Sequence, residues 1–176
     1  MRELRWQHKT DNKGMSLVEI IVVIAILSLF IGSVSYSINW ASGKAAEECA
    51  QKLAYNLKQA RTMAMGKNST TITVKKDEAG NIITEMKLVT DTGDAATTTS
   101  TKVGNRSVSV RFDDGSSESE LGTGGVVFVF DRASGALKTL NGAEANTASP
   151  KFTVSKGSTR RTIEIVPITG RISVGK

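Results

Sequence analysis

Between Glu19 and Lys44 the chain runs for 24 residues without a charge, and residues 20–27 read IIVVIAIL. Nothing else in the 176-residue sequence restricts the fold as much. At about 1.5 Å per residue, a helix of that length spans roughly 36 Å, enough for a hydrocarbon core of ~30 Å. No amphipathic period is visible over residues 20–38, so a helix there has no polar face to turn to water. The preceding segment, MRELRWQHKTDNKG, carries Arg2, Arg5, Lys9 and Lys13 against Glu3 and Asp11. The positive-inside rule therefore keeps this end in the cytoplasm and places the remainder outside, as a single-pass protein of the cytoplasmic membrane.

Past the apolar run, Ala46, Cys49, Ala50, Leu53, Leu57, Ala60 and Ala64 recur at steps of three and four, with no Pro from Asn39 to Gly66. This spacing predicts that the helix continues with one apolar face, against which a sheet packs. Gly43 within it costs about 1 kcal/mol relative to Ala. Cys49 lies on the apolar stripe and reads as a small packing residue. After Gly66 the period becomes two. Residues 71–75 and 83–89 read as a hairpin around a turn at 77–81. Residues 107–112, 136–140, 152–155, 162–166 and 171–174 read as further strands. VVFVF at 126–130 is continuously apolar, as in a central strand buried on both faces. Residues 91–101, 113–125 and 141–150 are expected to be polar loops. The sum is an α+β chain: one long N-terminal helix, half transmembrane and half amphipathic, packed on a small antiparallel head of seven or eight strands in two sheets.

Several chemistries find no residues to carry them. The one Cys excludes an internal disulfide framework. The one His, His8, lies in the leader-like segment, which argues against Ser–His and Cys–His catalysis. Gly122, Gly124 and Gly125 precede a strand and do not open a helix, so they form no phosphate loop. Asp113, Asp114, Glu118 and Glu120 offer oxygen atoms of the kind Ca²⁺ takes, but their spacing is not that of an EF-hand. No cofactor is expected, and the chain reads as a structural protein, not an enzyme. The C-terminal segment is basic, with Lys151, Lys156, Arg160, Arg161, Arg171 and Lys176. Basic surfaces attract nucleic acid, but most are solvated faces. Only one aromatic, Phe152, stands nearby to stack a base.

The run Lys13-Gly14-Met15-Ser16-Leu17-Val18-Glu19, leading directly into Ile20, resembles the class III signal sequence of type IV prepilins and pseudopilins. The resemblance implies that a prepilin peptidase cuts after Gly14 and methylates the new N-terminus, Met15. It implies a leader at 1–14, a transmembrane helix at 15–39, an amphipathic helix at 40–66 and a β-rich head at 67–176. Met15 departs from the Phe commonest in the family. Glycine before the cut lets the backbone lie close in a peptidase cleft. A carboxylate in a membrane helix costs on the order of 2.5–3.5 kcal/mol on insertion scales, so Glu19 needs a partner or a shallow depth. The family supplies one, the N-terminal amine of a neighbouring subunit, which makes Glu19 an assembly residue. The implied partners are the prepilin peptidase, sibling pilin or pseudopilin subunits, and an assembly platform.

FDRASGALKTL, the strand at 161–166 and TGRISV resemble the end of the GspH/FimT-like minor pseudopilins and minor pilins, with Gly135 and Gly170-Arg171 the matching positions. This implies a minor subunit of a type IV pilus or type II secretion pseudopilus. Its long polar loops fit that role better than dense lateral packing. Some FimT-like minor pilins bind DNA through a terminal Gly-Arg motif. Here that would involve Arg160, Arg161 and Arg171, although Ser173 stands where another basic residue is expected. The remaining alternative is a bitopic membrane protein whose β-head binds a ligand outside the cell.

Overall fold

The computed structural model describes residues 16–66, 69–89, 96–145 and 148–176, and for residues 32–42 the backbone alone. One helix, α1, runs from Leu17 to Met65. The chain divides into two compact units, Met1–Ile38 and Asn39–Lys176.

In the first unit Ser16 caps the helix through its carbonyl, which accepts the amides of Glu19 (2.9 Å) and Ile20 (3.2 Å). The large apolar side chains from Leu17 to Ile31 are each between 45% and 75% exposed. Ser28 turns its hydroxyl back to the Ile24 carbonyl at 2.8 Å, which satisfies its polarity within the helix. Among the described residues no helix is long and apolar enough to cross a membrane. The uncharged run in the sequence extends through residues 32–42, beyond the side chains described.

The second unit holds the end of α1 and, among the described residues, eleven strands. These are β1 Ser69–Lys76, β2 Ile82–Val89, β3 Thr97–Gly104, β4 Ser109–Asp113, β5 Glu118–Glu120, β6 Val126–Phe130, β7 Leu137–Leu140, β8 Ala143–Glu144, β9 Lys151–Lys156, β10 Thr159–Val166 and β11 Arg171–Gly175. They form two sheets, ordered β3-β2-β1-β6-β7-β8 and β11-β10-β9-β4-β5. Every pairing is antiparallel. The helical stripe read from the sequence is the face that packs. Ala46, Cys49, Ala50, Leu53, Leu57, Ala60 and Ala64 are all at most 1% exposed, in one core with Ile72, Val74, Ile163 and Ile165. The two sheets meet at three rings. Phe128 of the first sheet lies 6.0 Å from Phe112 and 5.6 Å from Phe152 of the second, which are themselves 4.9 Å apart.

The β1–β2 hairpin has the expected turn. The Asp77 carboxylate accepts the Asn81 amide at 2.7 Å and its Nδ2 at 2.9 Å, and Gly80 takes φ +80°. Other expectations are corrected. Residues 97–101, read as loop, belong to β3, because a run of β-branched threonines fits a pleated edge. The expected loop at 113–125 contains β5, and that at 141–150 contains β8. VVFVF is central in its sheet but buried on one face only, since Val127 and Val129 are half-buried. Among the described residues there are eleven strands, where seven or eight were expected. The cost at Gly43 also has a packing reason, since a Cβ there would lie 2.8 Å from Thr159 Oγ1 of β10.

Candidate processing and assembly site

Gly14 and Met15, the expected cleavage and methylation positions, lie outside the described residues, which begin immediately after them at Ser16. Glu19 sits in the first turn of α1 and is exposed. Counting from Ser16 as the cap, Glu19 is the third helical residue, so Ser16-Leu17-Val18-Glu19 has the S-x-x-E spacing of a capping box. A carboxylate there also meets the positive end of the helix dipole. This spacing is legible in the sequence only once the helix start is known.

In the head, the arginines considered for nucleic acid do not converge. The pairing of β10 with β9 and β11 makes the basic strands neighbours. Ile163 and Ile165 face the core, so Arg161 shares their face, where its guanidinium lies 3.6 Å from Glu47 of α1. Arg160 takes the opposite face. Arg171 pairs with Val166, six residues along β10 from Arg160, or about 20 Å. Glu164 lies between them on that face, 3.8 Å from Lys151.

The acidic loop is also engaged within the chain. Asp113 accepts the Gly115 amide, and Asp114 accepts those of Ser116 and Ser117, each at 2.8 Å. Glu118 lies 3.7 Å from Arg111, and Glu120 bonds Lys76 at 2.6 Å. Among the described residues no group of three or more Asp, Glu, His or Cys is placed to hold a metal. Hydrogen bonds hold several carboxyls, half-buried at Asp77, Asp114 and Asp131 and exposed at Glu120, below their usual range. Ser117 and Ser116 amides do so for Asp114, Lys76 for Glu120, the Asn81 side chain for Asp77, and the Ser134 side chain and amide for Asp131. Their support of the fold is present above the ordinary carboxylate range and is lost as pH falls through the lowered values.

Two glycines that carried a family likeness touch in space. Asp131 holds the β6–β7 turn by accepting the Ser134 hydroxyl (2.7 Å) and amide (2.9 Å). The turn ends at Gly135, φ +68°, whose carbonyl accepts Arg61 Nε of α1 at 3.0 Å. Gly170, φ +62° in the β10–β11 turn, lies so close that a Cβ on it would collide with that same carbonyl. The Leu137 amide donates to the Pro167 carbonyl at 2.9 Å and ties the two turns again. A polar relay has no signal in the sequence. Asn56, 7% exposed, donates from Nδ2 to the Thr84 hydroxyl at 2.7 Å, and that hydroxyl reaches the Thr101 carbonyl at 3.4 Å.

Cys49 is 1% exposed, and a Cβ on Gly104 would lie 2.6 Å from its Sγ. Burial pushes its thiol from 9.0 up to about 11, with Lys52 opposing. Between these values the unfolded chain releases the proton while the folded one keeps it. Stability is therefore complete below pH 9 and falls as pH rises toward 11, by about 2–3 kcal/mol at 1.36 per pKa unit. Cys49→Ala should remove that loss, which is read as the difference between the two proteins' denaturation midpoints from pH 8 to 11.

Residues 9–35 match the family model described as the prokaryotic N-terminal methylation motif. No curated protein and no solved structure matches the chain. The matched segment contains Gly14, Met15 and Glu19 and runs into α1. The match covers this segment alone; a motif of this kind indicates a type IV pilin-like or pseudopilin subunit and implies processing by prepilin peptidase, membrane anchoring and assembly with other pilins.

Proposed function

We propose that the chain is a minor pilin or pseudopilin, a structural subunit of a type IV pilus or a type II secretion pseudopilus. The observation that carries this is the register of the methylation motif, with Gly14, Met15 and Glu19 leading without interruption into α1. The exposed apolar side chains between Leu17 and Ile31 support it, because such a helix needs lipid or like helices around it. Before assembly, the helix spans the cytoplasmic membrane once, with the head outside. On extraction by the platform, lipid contacts give way to helix contacts with little net hydrophobic gain. The pairing of Glu19 with the amine of a neighbour's Met15 then sets register. The minor role rests on the likeness of FDRASGALKTL and TGRISV to GspH/FimT-like heads. The separation of Arg160, Arg161 and Arg171 counts against a DNA-binding variant of this role.

The deciding experiment is intact-mass and N-terminal analysis of protein purified from membranes. The expected chain begins at N-methylated Met15. A chain beginning at Met1, or cut among Ser33, Ser35 and Ser37, would leave the bitopic receptor as the better account. Glu19 requires two substitutions because of its capping position. Glu19→Gln keeps the S-x-x-E/Q spacing and removes only the charge, whereas Glu19→Ala removes both. Both should be cleaved normally and both should fail to enter filaments. Wild-type incorporation of Glu19→Gln would reduce Glu19 to a helix cap.

A further inference from the structure

The uncharged run ends at Gly43, and the head is unevenly charged around that point. Thr159 of β10 lies against Gly43, and Arg161, two residues on, lies 3.6 Å from Glu47. β10 therefore starts level with the end of the run and follows α1 away from it. Before Thr159 the chain reverses through Gly157-Ser158, with Gly157 at φ +59° and Lys156 paired with Thr159. A two-residue turn of this kind adds almost no length beyond the strands it joins. The tip of the β9–β10 hairpin thus brings Lys156, Arg160 and Arg161 to the same end of the head as Lys44. Lys44 and Arg160 are exposed, and Lys156 is half-buried. Glu47 is matched by Arg161, and no other Asp or Glu occurs in residues 20–47 or 149–163. Glu48, next along α1, lies 3.7 Å from Lys52. This corner of the second sheet is therefore positive. The corresponding corner of the first sheet, the β1–β2 turn, is mixed in sign, with Asp77 and Glu78 in the turn and Lys102 and Arg106 against it.

We infer, on the reading that residues 20–43 span the membrane, that this positive corner is a contact surface for the anionic phospholipid headgroups of that same membrane. Depth selects the partner. The uncharged run, at about 1.5 Å per residue, exceeds a ~30 Å hydrocarbon core by about 6 Å, and headgroups occupy roughly 5–7 Å on each side. With Glu19 at one boundary, Gly43 emerges within the headgroup layer of the other, and the hairpin tip beside it lies at the same level. Lysine and arginine at that depth meet lipid phosphates, to which they donate charge-assisted hydrogen bonds. Basic side chains within a Debye length of an anionic surface are also drawn to it as a group. Because the corner of the first sheet is mixed in sign, the attraction is one-sided. It favours an approach of the β9–β10 tip to the bilayer over an approach of the β1–β2 turn, and so restrains the head before extraction.

The test uses the full chain reconstituted in vesicles, with Cys49→Ala to remove the native thiol and a fluorophore on Ser158→Cys at the hairpin tip. The vesicles are phosphatidylcholine carrying a headgroup quencher, with or without added phosphatidylglycerol. Flotation after an alkaline wash comes first. A chain that washes off has no spanning helix, which overturns the membrane reading and this inference together. In a chain that stays, phosphatidylglycerol should deepen the quenching at Ser158→Cys, and high salt should reverse it. Lys156→Gln combined with Arg160→Gln should lower the contact equilibrium about tenfold or more and remove the lipid dependence. Ala79→Cys, exposed in the β1–β2 turn, should respond weakly, and Ile168→Cys, exposed in the β10–β11 turn at the opposite end of the head, should not respond. Equal quenching in the two lipids, a double variant that behaves like its parent, or an equal response at Ala79→Cys would each overturn the inference while leaving the spanning helix in place.

Discussion

Gly170→Val is expected to cost the head about 4 kcal/mol. Two terms add. A side chain at φ +62° is strained by roughly 1–3 kcal/mol. The new Cβ must also displace the Gly135 carbonyl, a collision comparable with overpacking at about 1–3 kcal/mol. Moving that carbonyl disturbs its bond from Arg61, so the change reaches the end of α1. For a unit of this size the shift should be roughly 8–16 °C in melting temperature. Gly142→Ala is the control, since Gly142 also has positive φ (+82°) but a Cβ there would meet nothing within 4 Å. It should show the conformational cost alone, about 1 kcal/mol. If the two variants melt together, the contact between the turns contributes nothing.

Phe152→Ala should be equally damaging, at about 3–5 kcal/mol. The ring is completely buried and touches Phe112 of its own sheet and Phe128 of the other. Its removal opens a cavity at the point where the sheets meet. Phe152→Leu, which keeps most of the volume, should cost about 1.5 kcal/mol or less. A double-mutant cycle between positions 112 and 152 should return a coupling of about 0.5–1.5 kcal/mol, the ordinary worth of an aromatic pair. Coupling near zero would mean that the rings fill space without specific interaction.

Much of this core is readable without the fold. The spacing of Ala46, Leu53, Leu57 and Ala60 specifies the buried face of α1, because a helix presents every third or fourth residue to one side. The β1–β2 hairpin is readable because Asp77 and Gly80 carry turn chemistry between two alternating runs. β3 is not, because threonine suits both a polar loop and a strand, and pairing with β2 decides between them. The contact of Gly135 with Gly170 is hidden for a different reason. Each glycine looks like an ordinary turn residue, and only the neighbouring placement of their turns shows why no side chain fits. The facing of Arg161 toward Glu47 likewise depends on the register of β10, where a shift of one residue would have sent it outward.

The order of strands has a consequence for how the head is made. The chain lays β1–β3 in the first sheet, β4–β5 in the second, β6–β8 back in the first and β9–β11 again in the second. The joins β1–β6 and β4–β9 therefore close long loops, a slow step in any folding reaction. A nascent chain that has reached Pro150 has the first sheet but only the β4–β5 hairpin of the second, which lacks β9 to seat it and Phe152 to fill the centre. Completion of the head waits for the last twenty-six residues, so a chain shortened there would present an open core to proteases and chaperones.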